Sequence, residues 1–514
     1  MANRATSRNT PPVSLIVTPC DQRGLFLRSL RSATAQDYSN LQVIVANDGG
    51  QDLPGLVASL GDPRIVLSPA SASRQVGAMV SATLGLAGGQ YVAHLLGGDV
   101  HYSRHVSSLV AALEDSPDCS VAYGDLYKTY FKPSGNTPVV LGKALAGGDD
   151  FDRLLLCRQD CIRLSAVMHR RSLLEQAGGF DEELPALAEW DFLRRLAFFG
   201  DFVHMPEVTG ECFQPIVGEG GPPPEDPDPK FLERCALAVR AKRPPKPWPK
   251  MPDLSIILVP PNRADATRAA LEQIRRETFT PHQVYLPLAR GELALLEGDM
   301  TNVVPVPVEP DSPADARVDK AVGRCQGDHV AVVFGEVSAK PAWVEFPLHA
   351  LTQGSSDWAF LVPGQPDGTW AAVFRKDELM RVRRSAPAIS VRRSLQAAGV
   401  ALREPPAASH PFRRGRILAE ARKLQRDGCW QQAAEAVSRL GESWKTTPAV
   451  GRQALLALYH AGREDEALDL SRRLNQRHPT VNTLLLEGKL LRRAGKVHEA
   501  VAALREAHAA LTRG

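Results

Sequence analysis

The chain has 514 residues, enough for about three domains, and its 44% hydrophobic content supplies real cores. Its 61 basic and 58 acidic residues leave a net charge of +3, which provides no clustered positive field for a nucleic acid. No apolar run reaches the roughly 18 residues of a transmembrane helix. The N-terminus, MANRATSRNTPPVSLIV, lacks the apolar segment and cleavage site of a signal peptide. The eight cysteines contain one close pair, Cys157 and Cys161, whose spacing fits neither a zinc knuckle nor a redox motif. Buried thiols in a reducing cytoplasm are the expectation.

Taken in chain order, the region 11–215 alternates strand and helix signals. VSLIV (13–17) predicts a strand buried on both faces, and LFLRSLRSATAQ a helix after it. LQVIVANDGG predicts a second strand ending in a turn, RIVLS a third, and QYVAHLL a fourth behind the helical VGAMVSATLGLA. FLRRLAFF predicts an amphipathic helix. This alternation implies an open, mostly parallel α/β sheet flanked by helices, with ligands at the carboxyl ends of the strands. Residues 216–253, dense in proline, predict an extended linker. A second globular region follows at 254–403, and a helical region at 412–514 lies beyond REPPAASHP.

The strand ends carry the candidate chemistry. VSLIV is followed by Thr18, Pro19, Cys20 and Asp21, and VIVA by Asn47, Asp48 and two glycines. A carboxylate there could accept hydrogen bonds from a base or ribose, and it also reads as a plain Asp-Gly turn. After VAHLL come Gly97, Gly98, Asp99 and His101, where one acid could help hold a divalent cation on a diphosphate. Asp150-Phe151-Asp152 has Asp-x-Asp spacing in a different place and reads as loop. Glu189 and Asp191 open the FLRRLAFF helix. Acids there suit the helix dipole, and a carboxylate could equally act as general base toward an acceptor hydroxyl.

PPVSLIVTPCDQRGLFLRSLRSATAQDYSNLQVIVANDGGQD, AGGQYVAHLLGGDV, AVMHRRSLLEQAGGFDEEL and AEWDFLRRLAFFGDF occur in order along the chain. Together they resemble the blocks of family 2 inverting glycosyltransferases of GT-A fold. The resemblance implies a nucleotide-diphosphate-sugar donor, a glycan or protein acceptor, and inversion at the anomeric carbon. It places Thr18 and Asp48 at the nucleotide, and Arg74, Gly98, Asp99 and His169 near the donor. It makes Glu189 the catalytic base and Asp191 the last acid of the same motif. The family's Asp-x-Asp stretch is Leu96-Gly97-Gly98-Asp99 here. Asp99 is thus the acid left for Mn or Mg, with cationic side chains the alternative way to neutralise a leaving diphosphate.

The second region repeats the first. LSIILVPPNRADATRAALEQI parallels VSLIVTPCDQRGLFLRSLRSA, and Ser14 to Gln42 and Ser255 to Gln283 both span 28 residues. Ala289 stands where Asp48 would be and Glu336 where Asp99 would be, which implies a degenerate copy serving as scaffold or pairing surface. In the last region Gly428, Gly462 and Gly495 recur at spacings of 34 and 33 residues, each with an alanine five positions on. This resembles tetratricopeptide repeats, which imply a protein-binding surface. The expected function is a cytoplasmic glycosyltransferase. The rival from another class is an inactive scaffold or binding module of the same fold.

Overall fold

The structure, a computed structural model, describes residues 10–49, 53–71, 75–132, 138–146, 150–215, 228–260, 264–293, 300–335, 339, 342–352, 357–363, 365, 370–385, 390–398, 402–405, 421, 424–425, 428–438, 448–477 and 481–512. Among these residues no helix is long and apolar enough to cross a membrane. All eight cysteines are free thiols, four of them buried.

The first sheet begins with four parallel strands: β1 (Val13–Val17), β2 (Leu41–Asn47), β3 (Ile65–Ala70) and β4 (Tyr91–Leu95), in the order β3-β2-β1-β4. Helices α1 (Arg23–Thr34), α2 (Leu53–Leu60) and α3 (Val76–Leu84) connect them. All five residues of β1 are buried, and the strand pairs on both edges, Val13 lying opposite Leu41 and Tyr91. Leu15 and Val17 join one core with Phe26 and Leu30, and Ile16 joins the other with Ile44, Val80 and Val92. Ser14 Oγ donates to Gln42 Oε1 (2.7 Å) and accepts from Gly89 N (2.9 Å). A Cβ on Gly89 would lie 2.5 Å from Ser14 N, so only glycine lets the turn before β4 close on β1.

Beyond β4 the chain forms β5 (Val100–His101), α4 (His105–Asp115), β6 (Cys119–Lys132), β7 (Val139–Ala146), α5 (Arg153–Arg158), β8 (Val167–Arg170), α6 (Leu174–Ala177), α7 (Ala188–Phe199) and β9 (Asp201–Pro215). They extend the sheet as β4-β8-β6-β9-β5, with β7 on β6, and β8 runs antiparallel to β4 and β6.

The α7 helix is not amphipathic, as its sequence suggested, but buried on every side from Trp190 to Phe199. Phe192, Leu193, Leu196 and Phe198 each gain about 1.5–3 kcal/mol from burial. The expected extended linker is corrected too, because Pro229–Ala241 form helix α8. Asp228 caps it by accepting from Lys230 N (3.1 Å), and Pro229 sits where a helix tolerates proline. Its C-terminal carbonyls are taken up by the buried Arg194, which donates to Arg240 O (2.9 Å) and Lys242 O (3.0 Å). Pro244, Pro245, Pro247 and Pro249 follow the end of this helix, which docks on α7.

A second six-stranded sheet follows. Its elements are β10 (Leu254–Val259), α9 (Ala264–Glu277), β11 (His282–Leu288), α10 (Arg290–Leu293), β12 (Val303–Pro307), α11 (Ala314–Val322), β13 (His329–Phe334), α12 (Glu345–Thr352), β14 (Ala359–Leu361), β15 (Trp370–Arg375), α13 (Lys376–Ser385) and α14 (Val391–Ala397). The strand order is β12-β11-β10-β13-β15-β14. Ser255 lies opposite Gln283, as Ser14 lies opposite Gln42, and Gly327 N donates to Ser255 Oγ (3.0 Å). The C-terminal helices include Trp430–Ser438, Pro448–His460, Glu464–Arg477, Val481–Arg493 and Val497–Thr512. Gly428, Gly462 and Gly495 take φ of +73°, +73° and +75° before three of them. Ala433, Ala467 and Ala500 are buried.

Asp191, expected as a catalytic acid, belongs to this packing rather than to a cleft. It is fully buried, accepts from Arg195 Nε (2.9 Å) and pairs with Lys242 Nζ (3.2 Å). Arg195 in turn holds the carbonyls of Ala177 and Gly179, so one carboxylate ties α7 to the loop after α6 and to the end of α8. Asp191→Ala leaves Arg195 buried without its counter-charge and is expected to cost about 3–5 kcal/mol. A lowered unfolding midpoint in thermal or urea melts checks this.

Candidate functional site

The ends of β1, β2 and β4 lie side by side because the three strands are parallel neighbours. Thr18, expected at the nucleotide, is buried: its N donates to Leu95 O (3.0 Å) and its Oγ1 accepts from Gly97 N (3.1 Å). Its hydroxyl therefore stitches β1 to the loop after β4. A Cβ on Gly97 would fall 2.5 Å from the Pro19 carbonyl carbon, which keeps the two loops in backbone contact. Asp48 is buried at the end of β2, and beside it Gly49 (φ +70°) donates from N to Asn47 Oδ1 (2.9 Å). The Asp-Gly turn is thus built, with the carboxylate at its apex. Arg74 and Glu336 lie outside the described residues.

Asp99 is 4% exposed and is held by protein groups. Ser165 Oγ donates to Asp99 Oδ2 (2.6 Å), the Phe213 N–H also reaches the carboxylate, and Arg163 Nη2 stands 3.7 Å from Oδ2. Burial raises the Asp99 pKa, and Arg163 and Ser165 oppose the rise. Gly98 takes φ +95° and donates from N to Ser29 Oγ (3.0 Å), adding no side chain to the site. His101 is stacked on His105 at 3.6 Å, with its Nε2 2.7 Å from Ser165 O; burial drops its pKa to about 4. With Nε2–H donating to that carbonyl, the neutral ring has Nδ1 left, and this atom is buried. Mn and Mg require several converging oxygens. Among the described residues no group of three or more metal-ligating side chains forms. One enclosed, hydrogen-bonded carboxylate does not fit such an ion.

Next to Asp99 opens a cavity of about 260 Å³, lined by Tyr123, Gly124 and Leu126 of β6 and by Asp150, Asp152, Asp160 and Arg163. Asp152 caps α5 by accepting from Leu155 N (3.0 Å), consistent with the loop reading of Asp150-Phe151-Asp152. Arg163 keeps its side chain 51% exposed while its charge lies in the field of Asp99, Asp160 and Glu189. Desolvation, with a smaller push from Glu189 and against the pull of Arg163, raises the Asp160 pKa to about 6. Glu189 sits half-buried in the first turn of α7 and makes no side-chain hydrogen bond to any described residue. The helix starts from Leu187 in the left-handed region (φ +64°), a position that costs a leucine about 1–2 kcal/mol and turns the chain sharply just before Glu189.

His169 is withdrawn from this cleft. It is fully buried between β8 and α7, with Nε2 3.2 Å from His94 Nε2 and Nδ1 3.1 Å from Arg170 O. Burial lowers its pKa to about 4, so it is a neutral core ring rather than a donor contact. Sequence reading missed Arg163, Asp160 and a second buried cluster: His204 lies between Asp125 Oδ1 (2.9 Å) and Asp150 Oδ1 (3.3 Å). A lone arginine in a loop and two acids 25 residues apart carry no period or spacing that would join them.

No family model matches the chain. It is similar to the putative colanic acid biosynthesis glycosyl transferase WcaA of Escherichia coli K12, at 23% identity over 210 residues, covering 39% of this chain and 72% of that protein. It is also similar to the succinoglycan biosynthesis protein ExoO of Rhizobium meliloti, at 33% over 86 residues, 16% of this chain and 25% of that protein. Solved structures that resemble it include Staphylococcus aureus TarS 1–349 in complex with UDP-GlcNAc (15% identity, TM-score 0.34, 45% of this chain and 65% of that one). Another is the mannosyltransferase PcManGT of Pyrobaculum calidifontis in complex with GDP-Man and Mn2+ (18%, TM-score 0.31, 41% and 59%). The chain spans less than two thirds of both structures and a quarter of ExoO.

The His204 clamp has a pH signature. Burial works against the imidazolium, but hydrogen bonds to Asp125 and Asp150 outweigh it and raise the pKa to about 9. A group whose pKa rises on folding stabilises fully below its unfolded value, about 6.5, and loses that contribution as pH climbs through the folded one. The unfolding temperature should therefore fall between pH 6.5 and 9, and His204→Gln should remove that part of the slope in melts across the range.

Proposed function

We propose that the chain is a glycosyltransferase that moves a sugar from a nucleotide-diphosphate-sugar donor to a glycan or protein acceptor, with inversion. The observation that carries this reading is Glu189. It is a carboxylate with no side-chain hydrogen bond to any described residue, set on a strained helix start and near enough to Arg163 and Asp160 to act on their charges. The similarity to a colanic acid biosynthesis glycosyl transferase supports it. In the reaction the acceptor oxygen bonds to the anomeric carbon while its proton passes to Glu189. The bond from that carbon to the diphosphate breaks, and the electron pair leaves with the diphosphate. Asp48 at the end of β2 is the proposed nucleotide contact.

The second sheet is read as a degenerate copy of the first. The same central strand order and the repeated Ser-Gln-Gly corner support this, and the buried Ala289 in place of an acid supports loss of chemistry. The 34- and 33-residue glycine spacing supports reading the C-terminal helices as tetratricopeptide-like hairpins that bind a protein partner. A cytoplasmic location suits a nucleotide-sugar donor.

The test is a calorimetric panel of nucleotide sugars followed by a transfer assay. At least one donor should bind. Glu189→Gln should retain that binding and lower kcat by about 10²–10⁴-fold. Binding of no donor would favour the rival scaffold, a reading for which the protein-satisfied Asp99 speaks. Full turnover by Glu189→Gln removes Glu189 as the base.

A further inference from the structure

The position where a metal would be expected is occupied by a different kind of charge. Asp99 has its carboxylate bonded to Ser165 and Phe213 and turned toward Arg163. The preceding residue is Gly98, and His101 spends one ring nitrogen on the Ser165 carbonyl. Arg163 itself is built into the wall. It lies two residues before Ser165, whose Oγ accepts from Leu96 N (3.0 Å), so the loop carrying the arginine is pinned to the loop after β4. The 3.7 Å approach to Asp99 is long for a hydrogen-bonded pair and spends few of the five guanidinium donors. Half of the Arg163 side chain is exposed, and the residue lines the cavity.

We propose that Arg163 is the cation that receives the nucleoside diphosphate, so that transfer in this site proceeds without a carboxylate-bound metal. This inference rests on the glycosyltransferase reading. When the sugar–diphosphate bond breaks, the leaving diphosphate gains one negative charge. Arg163 keeps its protons and offsets that charge through charge-assisted, bidentate hydrogen bonds, while the acceptor proton goes to Glu189. Asp99 is then a positioning residue. Its carboxylate holds the guanidinium at the cavity wall, as Ser165 and Phe213 hold the carboxylate.

The experiment is calorimetric titration of the full chain with UDP and with GDP, in excess chelator and again with Mn2+, followed by transfer assays with whichever donor is accepted. One nucleotide should bind in chelator with an affinity that Mn2+ changes less than about threefold. Arg163→Met should weaken it about tenfold or more, and Arg163→Lys should recover part of the loss, since a point charge remains but the fork does not. Asp99→Asn discriminates independently. It removes the carboxylate a metal would need and also loosens Arg163, so it should weaken nucleotide binding by the same factor in chelator and in Mn2+, and by no more than Arg163→Met does. Binding that needs Mn2+, vanishes in Asp99→Asn and is untouched in Arg163→Met overturns the inference and leaves the transferase reading standing. Absence of nucleotide binding by the parent under both conditions overturns the two together.

Discussion

The constraint on which the rest of the first region depends is the complete enclosure of β1. Both faces are covered by separate cores and both edges carry a parallel partner, so every residue is specified by contacts in four directions. A slip of one residue would exchange the two faces and unpair both ladders. The Ser14 hydroxyl makes such a slip costlier still by joining Gln42 on one side to the Gly89 turn on the other. Because β1 cannot move, the loops after β1, β2 and β4 are delivered to one end of the sheet, and Thr18 and Gly97 lock two of them together.

From that end outward, the burial of charge decides which side chains remain for chemistry. Glu189 and Asp191 are two residues apart on α7, and a helix turns them about 200° from one another. One is therefore left half-buried in the field of Arg163 and Asp160, while the other is driven into a core where Arg195 and Lys242 satisfy it. Asp99 and His169 are drawn inward in the same way, one onto Ser165 and the other onto His94. What remains outward is Arg163, carried by a loop between α5 and β8 that is anchored through Ser165. An anchored loop beside a rigid strand end can hold a charged group in place while its tip stays open to solvent.

The interval between the two sheets shows how local composition misleads. Proline density across 216–253 argues for an extended spacer, but α8 occupies 229–241 because Val239 joins the core of the first region and Arg194 holds the helix end. Arg194 on α7 supplies donors to the unpaired carbonyls at the C-terminal end of that helix. Tertiary contacts overrode a compositional prior, and the buried face of α7 that the sequence pattern showed as solvent-facing is the other half of that contact.

The strand and helix alternation, the 28-residue spacing of Ser and Gln and the glycine period near the C-terminus were legible in the sequence, since each is a repeating local pattern that burial imposes directly on residue type. VSLIV and QYVAHLL fall on β1 and β4 within a residue or two. The position of Glu189 at a helix start and of Asp48 in a strand-end turn was legible for the same reason. The direction in which each side chain points was not. Whether a carboxylate meets solvent, an arginine or a histidine depends on residues tens of positions away, as Asp99 with Arg163 and Asp125 with His204 show. The sequence by itself therefore determined the α/β layout and the addresses of the candidate acids. Only the tertiary structure decided which acids are consumed by packing and which cation stands at the cavity, because charge pairing is set by distance in space and leaves no period along the chain.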